Sequence, residues 1–258
     1  MTKKLTRNRP ANTLRPVEIT PNYLKHPEGS ALIRCGDTMV ICTATVENRV
    51  KEWLRGKGRG WITAEYAMLP RANDQRGLRE GQFGRWPSGR SQEIQRLIGR
   101  CLRAAIWPAR IGERMITIDC DVIQADGGTR TASVTGGFVA LALALNKLMR
   151  ENQISKPPLR SAIAAVSVGI VNNEILLDLD YGEDSSAEVD LNLGANENGE
   201  IVEIQATAEG KTYTASQLRA MTDLALNGVE ELINIQKGTL EKLDIDLSSL
   251  IDKREEIK

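Results

Sequence analysis

QADGGTRTAS, residues 124–133, stands between a strand-like run and a long helical pattern, and the rest of the chain is arranged around it. Gly127 and Gly128 allow the backbone to turn with positive φ. Thr129 and Arg130 add a hydroxyl, a guanidinium and free N–H groups at a helix start. This combination is typical of a phosphate-binding loop. A strand-to-helix turn, with a threonine or serine that only caps the helix, explains the same residues equally well.

Length and composition indicate a globular protein. The 258 residues suit one large domain or two fused halves, and 41% hydrophobic residues are enough for a sizeable core. We expect a cytoplasmic protein without a membrane segment, because neither a basic-then-apolar signal nor an 18-residue apolar run is evident. The four cysteines are scattered without metal or redox spacing. Any Ser-His-Asp triad or histidine metal site would have to use His26, the one histidine.

The charges are segregated although they sum to zero. Residues 49–114 hold 15 Lys and Arg against six acids, whereas residues 172–209 hold eleven acids and no Lys or Arg. The first block suits a polyanion, and the second suits divalent cations. Either block alone is more often a solvated face, but their presence in one chain favours the functional interpretation.

Sequence patterns divide the chain into four segments. A basic, mobile arm covers residues 1–15, a first half covers 16–156, a second half covers 157–237, and a charged tail covers 238–258. Hairpin signals join strand-like runs at Gly36, Asn172 and Gly199. Residues 91–106 repeat apolar side chains at helical spacing, and residues 132–149 are apolar on nearly all sides, as in a buried helix. Each half thus has hairpins followed by a helix.

An arginine-rich loop precedes the first helix. Residues 71–89 include Arg71, Arg76 and Arg79 among polar residues and glycines, and a loop of this length is often functional. Arg90 follows at the predicted helix N-terminus, where a cation does not stabilise the helix by itself but can help to bind an anion.

The acidic stretch LLDLDYGEDSSAEVD, residues 176–190, is a candidate metal site. Asp178 and Asp180 are expected on the same strand face, and Asp184 returns after a turn at Gly182. Such carboxylates raise one another's pKa unless a cation joins them, and Mg²⁺ binds through one or two carboxylates, water and substrate phosphate. An acidic surface turn is the alternative interpretation.

Several longer stretches together resemble the ribonuclease PH family across nearly the whole chain. They are LRP at Leu14, HPEGS at His26, GWITAEYAMLPRA at Gly60, SGRSQEIQRLIGRCLRAA at Ser88, GERMITIDCDVIQADGGTRTAS at Gly112, LDLDYGEDSSAEVD at Leu177 and QATAEG at Gln205. The resemblance implies the α/β ribonuclease PH fold with two β-α-β-like halves, assembled as a hexameric ring, a trimer of dimers. It also implies phosphorolysis, in which inorganic phosphate trims the 3′ end of tRNA precursors and releases nucleoside 5′-diphosphates.

The same resemblance implies roles for particular residues. Phosphate would be bound by Arg90, Gly128, Thr129 and Arg130. Asp178 and Asp184 would bind Mg²⁺ or Mn²⁺ and would be the catalytic residues. The tRNA would be contacted by Arg71, Arg76 and Arg79. The chain departs from the family pattern in three places. These are RNRPAN at Arg7, LNLGAN at Leu191 and the loop containing Trp86, which is one residue longer than usual.

Two other functions are alternatives for the same sequence. The first is a non-catalytic RNA-binding ring subunit, which would be marked by loss of Arg90, Arg130 or the acidic pair. The second is a metal-dependent hydrolase, which would use water and would not need two arginines directed at phosphate.

Overall fold

The computed structural model of the chain describes residues 7–79, 87–209 and 211–252. Within these residues the protein has two β-sheets, and one long helix packs against both. The α/β class with β-α-β-like halves is confirmed, with the strands of one sheet within residues 17–124 and those of the other within residues 163–208.

The first half forms a five-stranded sheet with the order β1-β2-β3-β5-β4. Its strands are β1 (Val17–Pro21), β2 (Gly29–Cys35), β3 (Thr38–Glu47), β4 (Trp61–Met68) and β5 (Met115–Gln124). The predicted hairpin at Gly36 joins β2 and β3, and this glycine has a φ of +56°. β4 and β5 are parallel, so helix α1 (Gly89–Ala104) forms the crossover between them.

The second half forms a four-stranded antiparallel sheet with the order β7-β6-β8-β9. Its strands are β6 (Ile163–Val171), β7 (Glu174–Leu177), β8 (Val189–Asn196) and β9 (Ile201–Ala208), with helix α3 (Tyr181–Asp184) between β7 and β8. Both predicted hairpins are confirmed. Asn172 and Asn173 have φ values of +52° and +63°, which a tight β6–β7 turn requires.

The central element is helix α2 (Thr129–Arg150), which packs against β2 and β3 of the first sheet and β6 of the second. It is long and apolar enough to span a membrane, but 83% of its most apolar 18-residue window is buried inside the fold. Phe138 at its centre is fully buried. A helix that is apolar on all sides is explained here by the two layers that cover it.

The chain termini differ from the sequence expectation. Residues 1–6 of the predicted mobile arm and residues 253–258 lie outside the described part, but residues 7–15 lie against the second half, held by arginine hydrogen bonds. The predicted charged tail begins inside helix α4 (Ala215–Glu241). It continues through α5 (Leu247–Leu250), where Leu247 and Leu250 are buried, because alternate apolar residues give this segment a face to pack.

Two helical glycines provide a test of how tightly α2 is packed. A Cβ added at Gly136 would lie 2.7 Å from Ile33 Cγ2 and 2.9 Å from Cys42 Sγ, whereas at Gly238 on α4 nothing lies within 4 Å. We expect Gly136→Ala to lower the free energy of unfolding by about 1–3 kcal/mol through overpacking. Gly238→Ala should raise it by about 0.5–1 kcal/mol through lower backbone entropy of the unfolded chain. Urea unfolding measures both, and a stabilised Gly136→Ala would contradict the close packing.

Candidate active site

The predicted phosphate loop lies between the end of β5 and the start of α2. Gly127 and Gly128 have φ values of +72° and +62°, so both need the left-handed conformation that glycine tolerates. A Cβ on Gly127 would lie only 2.4 Å from Leu179 O. The loop therefore packs backbone to backbone against the acidic segment, which brings together two stretches that are about fifty residues apart in sequence.

Thr129 and Arg130 are the first two residues of α2, directly after the predicted phosphate loop. The hydroxyls of Thr129 and Tyr66 are hydrogen-bonded at 2.8 Å. Arg130 Nη1 donates to Gln205 Oε1 at 3.2 Å and lies 3.7 Å from Glu93 Oε1. These contacts hold the guanidinium at the helix N-terminus, where the helix dipole also favours an anion.

Arg90 lies in the first turn of α1 and faces the same region. Burial raises the pKa of Tyr66, and the charges of both Arg90 and Arg130 lower it, so the two cations act on one place. The helix itself is capped by Ser88, whose Oγ accepts from Ser91 N at 3.1 Å. Because the cap does not involve Arg90, this arginine is left to act on the cavity.

Asp178 has a different environment from the one the sequence predicts. β7 ends at Leu177, and Asp178 takes a φ of +56°, so it does not share a strand face with Asp180, which instead caps α3. Its Oδ2 accepts from Arg15 N (2.8 Å) and Nε (3.0 Å), and its Oδ1 accepts from Arg15 Nη2 (2.8 Å). Both oxygens are thus used in a buried ion pair.

Asp190, which the sequence analysis missed as a site residue, shares the cavity with Asp184. Burial, and then the charge of Asp184, raises the pKa of Asp190 to about 6, while Arg130 lowers it. Its Oδ2 accepts from Asn192 Nδ2 at 2.9 Å, and its buried Oδ1 has no hydrogen-bond partner among the described residues. The predicted pairing of Asp178 with Asp184 stays a prediction, and Asp190 is a further carboxylate that lines the cavity with Asp184. The sequence pattern that could have identified Asp190 is the alternation of β8, which places Asp190 and Asn192 on one face of the strand.

Burial also raises the pKa of Asp184, and Arg130 and Arg90 lower it. Two half-buried carboxylates with raised pKa values, one with an orphaned oxygen, form a donor set that suits a hard divalent cation such as Mg²⁺. No group of three or more His, Cys, Asp or Glu side chains could hold a metal within residues 7–79, 87–209 and 211–252. Water and phosphate would have to complete the coordination shell.

The cavity that joins these groups has a volume of ≈ 1120 Å³. Its charged and hydroxyl lining comes from both halves of the chain and includes Arg71, Arg90, Thr129, Arg130, Asp184 and Asp190. Cations from the first half thus face carboxylates from the second. An anionic substrate and a divalent cation could both be bound in this space.

The three arginines predicted to contact tRNA are placed differently from one another. Arg71 lines the cavity, and Arg76 and Arg79 are exposed on the loop that follows. Burial raises the pKa of Asp121 and the charge of Arg79 lowers it, so Arg79 lies near Asp121 of β5. Residues 80–86, including Trp86 of the longer loop, lie outside the described residues.

Comparisons with known proteins match both halves of the chain. Residues 13–145 match the 3′ exoribonuclease family, domain 1, and residues 161–228 match domain 2 of the same family. Solved structures agree in fold. Rrp46 of rice (Oryza sativa) has a TM-score of 0.73 at 17% identity, covering 90% of this chain and 98% of that one.

Two exosome structures give similar values. A chain of the Archaeoglobus fulgidus exosome with RNA bound to the active site has a TM-score of 0.72 at 22% identity, covering 88% of this chain and 90% of that one. A chain of an archaeal exosome core has a TM-score of 0.70 at 21% identity, with 89% coverage of both. At these identities the similarity shows the fold alone.

The different environments of Asp178 and Asp190 predict opposite effects on stability. With EDTA present at pH 8, Asp178→Asn should lower the free energy of unfolding by about 3–5 kcal/mol, because it removes the carboxylate charge that binds buried Arg15 at 2.8 Å. Asp190→Asn should raise it by about 1–3 kcal/mol, since a carboxyl pKa raised to about 6 means that the charged form is disfavoured in the folded state. Urea unfolding tests both.

The gain from Asp190→Asn should shrink as the pH falls from 6 towards 4, where the wild-type carboxyl becomes protonated in the folded state. A loss of stability in Asp190→Asn at pH 8 would contradict this description of the site.

Proposed function

Because this chain belongs to the 3′ exoribonuclease family, we propose that it is a phosphorolytic 3′-to-5′ exoribonuclease, with the 3′ ends of tRNA precursors as its substrates. Inorganic phosphate attacks the terminal phosphodiester and releases a nucleoside 5′-diphosphate, and the reverse reaction adds nucleotides. The observation that carries this proposal is the cavity in which Arg90, Thr129 and Arg130 face Asp184 and Asp190.

The phosphate side of the cavity would bind the nucleophile. Arg90 and Arg130 offset the repulsion between inorganic phosphate and the scissile phosphodiester, and the Thr129 hydroxyl and the N-terminus of α2 add donors. Phosphate is partly dianionic near neutral pH and serves as its own nucleophile. The reaction therefore needs no histidine base, which agrees with a site built without one.

The acidic side of the cavity would hold a divalent cation, Mg²⁺ or Mn²⁺, on Asp184 and Asp190. When bound, such an ion supplies charge stabilisation for the leaving 3′-oxygen and the transferring phosphoryl oxygens. Asn192 orients Asp190 through its 2.9 Å hydrogen bond. Asp178, which pairs with Arg15 and does not line the cavity, holds the loop that precedes Asp184.

The RNA would enter past the arginine-rich loop. Arg71 at the cavity would contact the backbone of the terminal nucleotides, and the exposed Arg76 and Arg79 would contact the body of the tRNA. We also propose the hexameric ring, a trimer of dimers, and a cytoplasmic location.

A second candidate function is a non-catalytic RNA-binding ring subunit, favoured by the fold similarity to exosome chains. Such a subunit does not need a pair of cavity arginines opposite a pair of carboxylates. A water-dependent hydrolase is the third candidate, and it differs from the first in being indifferent to added phosphate.

Phosphate dependence separates the three functions. With a 3′-extended tRNA precursor and Mg²⁺, we expect nucleoside diphosphates only when inorganic phosphate is added. Arg90→Met and Arg130→Met should lower kcat/KM by about 10²–10³, because each removes a cation aimed at the transferring phosphate. Arg96→Met, at an exposed position of the same helix as Arg90, is the matched control and should keep full activity. Chromatography of the released nucleotides is the readout.

Two outcomes would overturn the proposal. Monophosphates released without phosphate would identify a hydrolase. RNA binding without any release would identify the inert ring subunit.

Metal dependence tests the two carboxylates. Asp184→Asn and Asp190→Asn should each lower kcat by at least about 10²-fold and shift the Mg²⁺ dependence to higher concentration, because each leaves the cation with one carboxylate. Asp223→Asn, an exposed carboxylate of α4, is the control and should behave as the wild type. Full activity in Asp190→Asn would remove this residue from the proposed metal site.

A further inference from the structure

The arm formed by residues 7–15 is in direct contact with the acidic segment beside the cavity. Arg7 Nη1 donates to Glu183 Oε1 at 2.9 Å, and its Nη2 donates to Leu177 O at 2.9 Å. Arg9 Nη2 donates to Glu183 Oε2 at 3.1 Å and also to Asp178 O. Both ends of the loop that leads from β7 to Asp184 are therefore held by arginines from the arm.

Glu183 depends on these two arginines. Its side chain is 1% exposed, and the side chains of Arg7 and Arg9 are 10% and 17% exposed. A carboxylate removed from water to this extent is destabilising unless a cation and hydrogen bonds compensate for it. Together the two guanidinium groups engage both oxygens of Glu183 and provide that compensation.

Glu183 also stabilises α3, the single helical turn that carries Asp184. Its Oε2 accepts from Asp180 N at 3.0 Å, and Asp180 Oδ1 accepts from Glu183 N at 2.8 Å, which together form a capping box. Asp184 N donates to Asp180 O at 2.8 Å. α3 has four residues, and one helical turn is not stable without such contacts. The backbone position of Asp184 is thus linked to the charge balance at its neighbour Glu183.

We propose that Arg7 and Arg9 are positioning residues for Asp184. By neutralising buried Glu183 they hold the α3 turn in place, and this fixes the carboxylate of Asp184 opposite Asp190 and sets the affinity of the cavity for a divalent cation. The inference rests on the proposed function only in assigning that cation to Asp184 and Asp190. Neither arginine lines the cavity, so both act through Glu183 and do not touch the substrate.

Direct metal binding tests the inference without RNA. Mn²⁺ is titrated into the full-length protein, and its free concentration is followed by electron paramagnetic resonance. The part of the Mn²⁺ binding that is lost in Asp190→Asn is assigned to the cavity. The Arg7→Met/Arg9→Met variant should bind Mn²⁺ about ten-fold more weakly than the wild type. The control is Arg49→Met, whose side chain is 79% exposed, and it should bind as the wild type does.

A charge rescue separates positioning from a general loss of structure. Glu183→Gln in the double-variant background removes the uncompensated charge but keeps an oxygen that can accept from Asp180 N. It should restore Mn²⁺ affinity to within about three-fold of the wild type, as expected for residues that are energetically coupled. An unchanged affinity in the double variant, or no recovery in the triple variant, would overturn the proposal.

Two further controls keep the outcome clear. If the double variant is unfolded by circular dichroism, the single variant Arg9→Met is titrated, because it removes the cation at Glu183 Oε2 and leaves Arg7 paired with Oε1. An affinity equal to that of Arg49→Met would then overturn the proposal. Phosphorolysis is measured separately on the wild type. Mn²⁺ binding without nucleoside diphosphate release would contradict the proposed function and leave the positioning role of the arginines standing on the metal titration.

Discussion

The arrangement of the site depends on the buried ion pair between Arg15 and Asp178. Arg15 uses its backbone N–H and its guanidinium on both oxygens of Asp178, and the same guanidinium donates to the carbonyls of Asp126 and Gly127. One side chain therefore joins the start of the chain, the phosphate loop and the acidic segment. A buried pair of this kind is strongly destabilised when either partner is lost, because the other charge remains out of water.

This connection explains why the cavity can keep cations and carboxylates facing each other. The backbone of Gly127 packs against Leu179, so the phosphate loop and the acidic segment are held at a fixed separation. Asp190 is half-buried and has a raised pKa although Arg130 acts on it, which means that the nearby cation does not cancel its desolvation. A site with unbalanced charge in this form is suited to an added anion and an added cation together.

The six acidic residues of the acidic segment are divided among different tasks. Asp178 and Glu183 are buried and paired with arginines of the arm, Asp180 caps α3, and Glu188 pairs with Lys211 at 2.9 Å on the surface. Only Asp184 and Asp190 are left to the cavity. Four of the six carboxylates are thus used in ion pairs or in a helix cap, and the arm's arginines make it possible to bury two of them beside the cavity.

The sequence alone determined the elements and most of the residues on the cationic side of the cavity, because hairpin turns, helical periodicity and the GGTR loop are local patterns set by backbone conformation. The helical spacing of apolar residues indicated the buried face of α1, and apolar residues on nearly all sides indicated that α2 is buried all round. The tertiary structure alone decided the use of the acids. Asp178 and Arg15 are 163 residues apart, and their pairing has no local signal. Strand alternation could not be extended past Leu177, since the positive φ of Asp178 turns the chain away and leaves Asp190, on the next strand, to face Asp184.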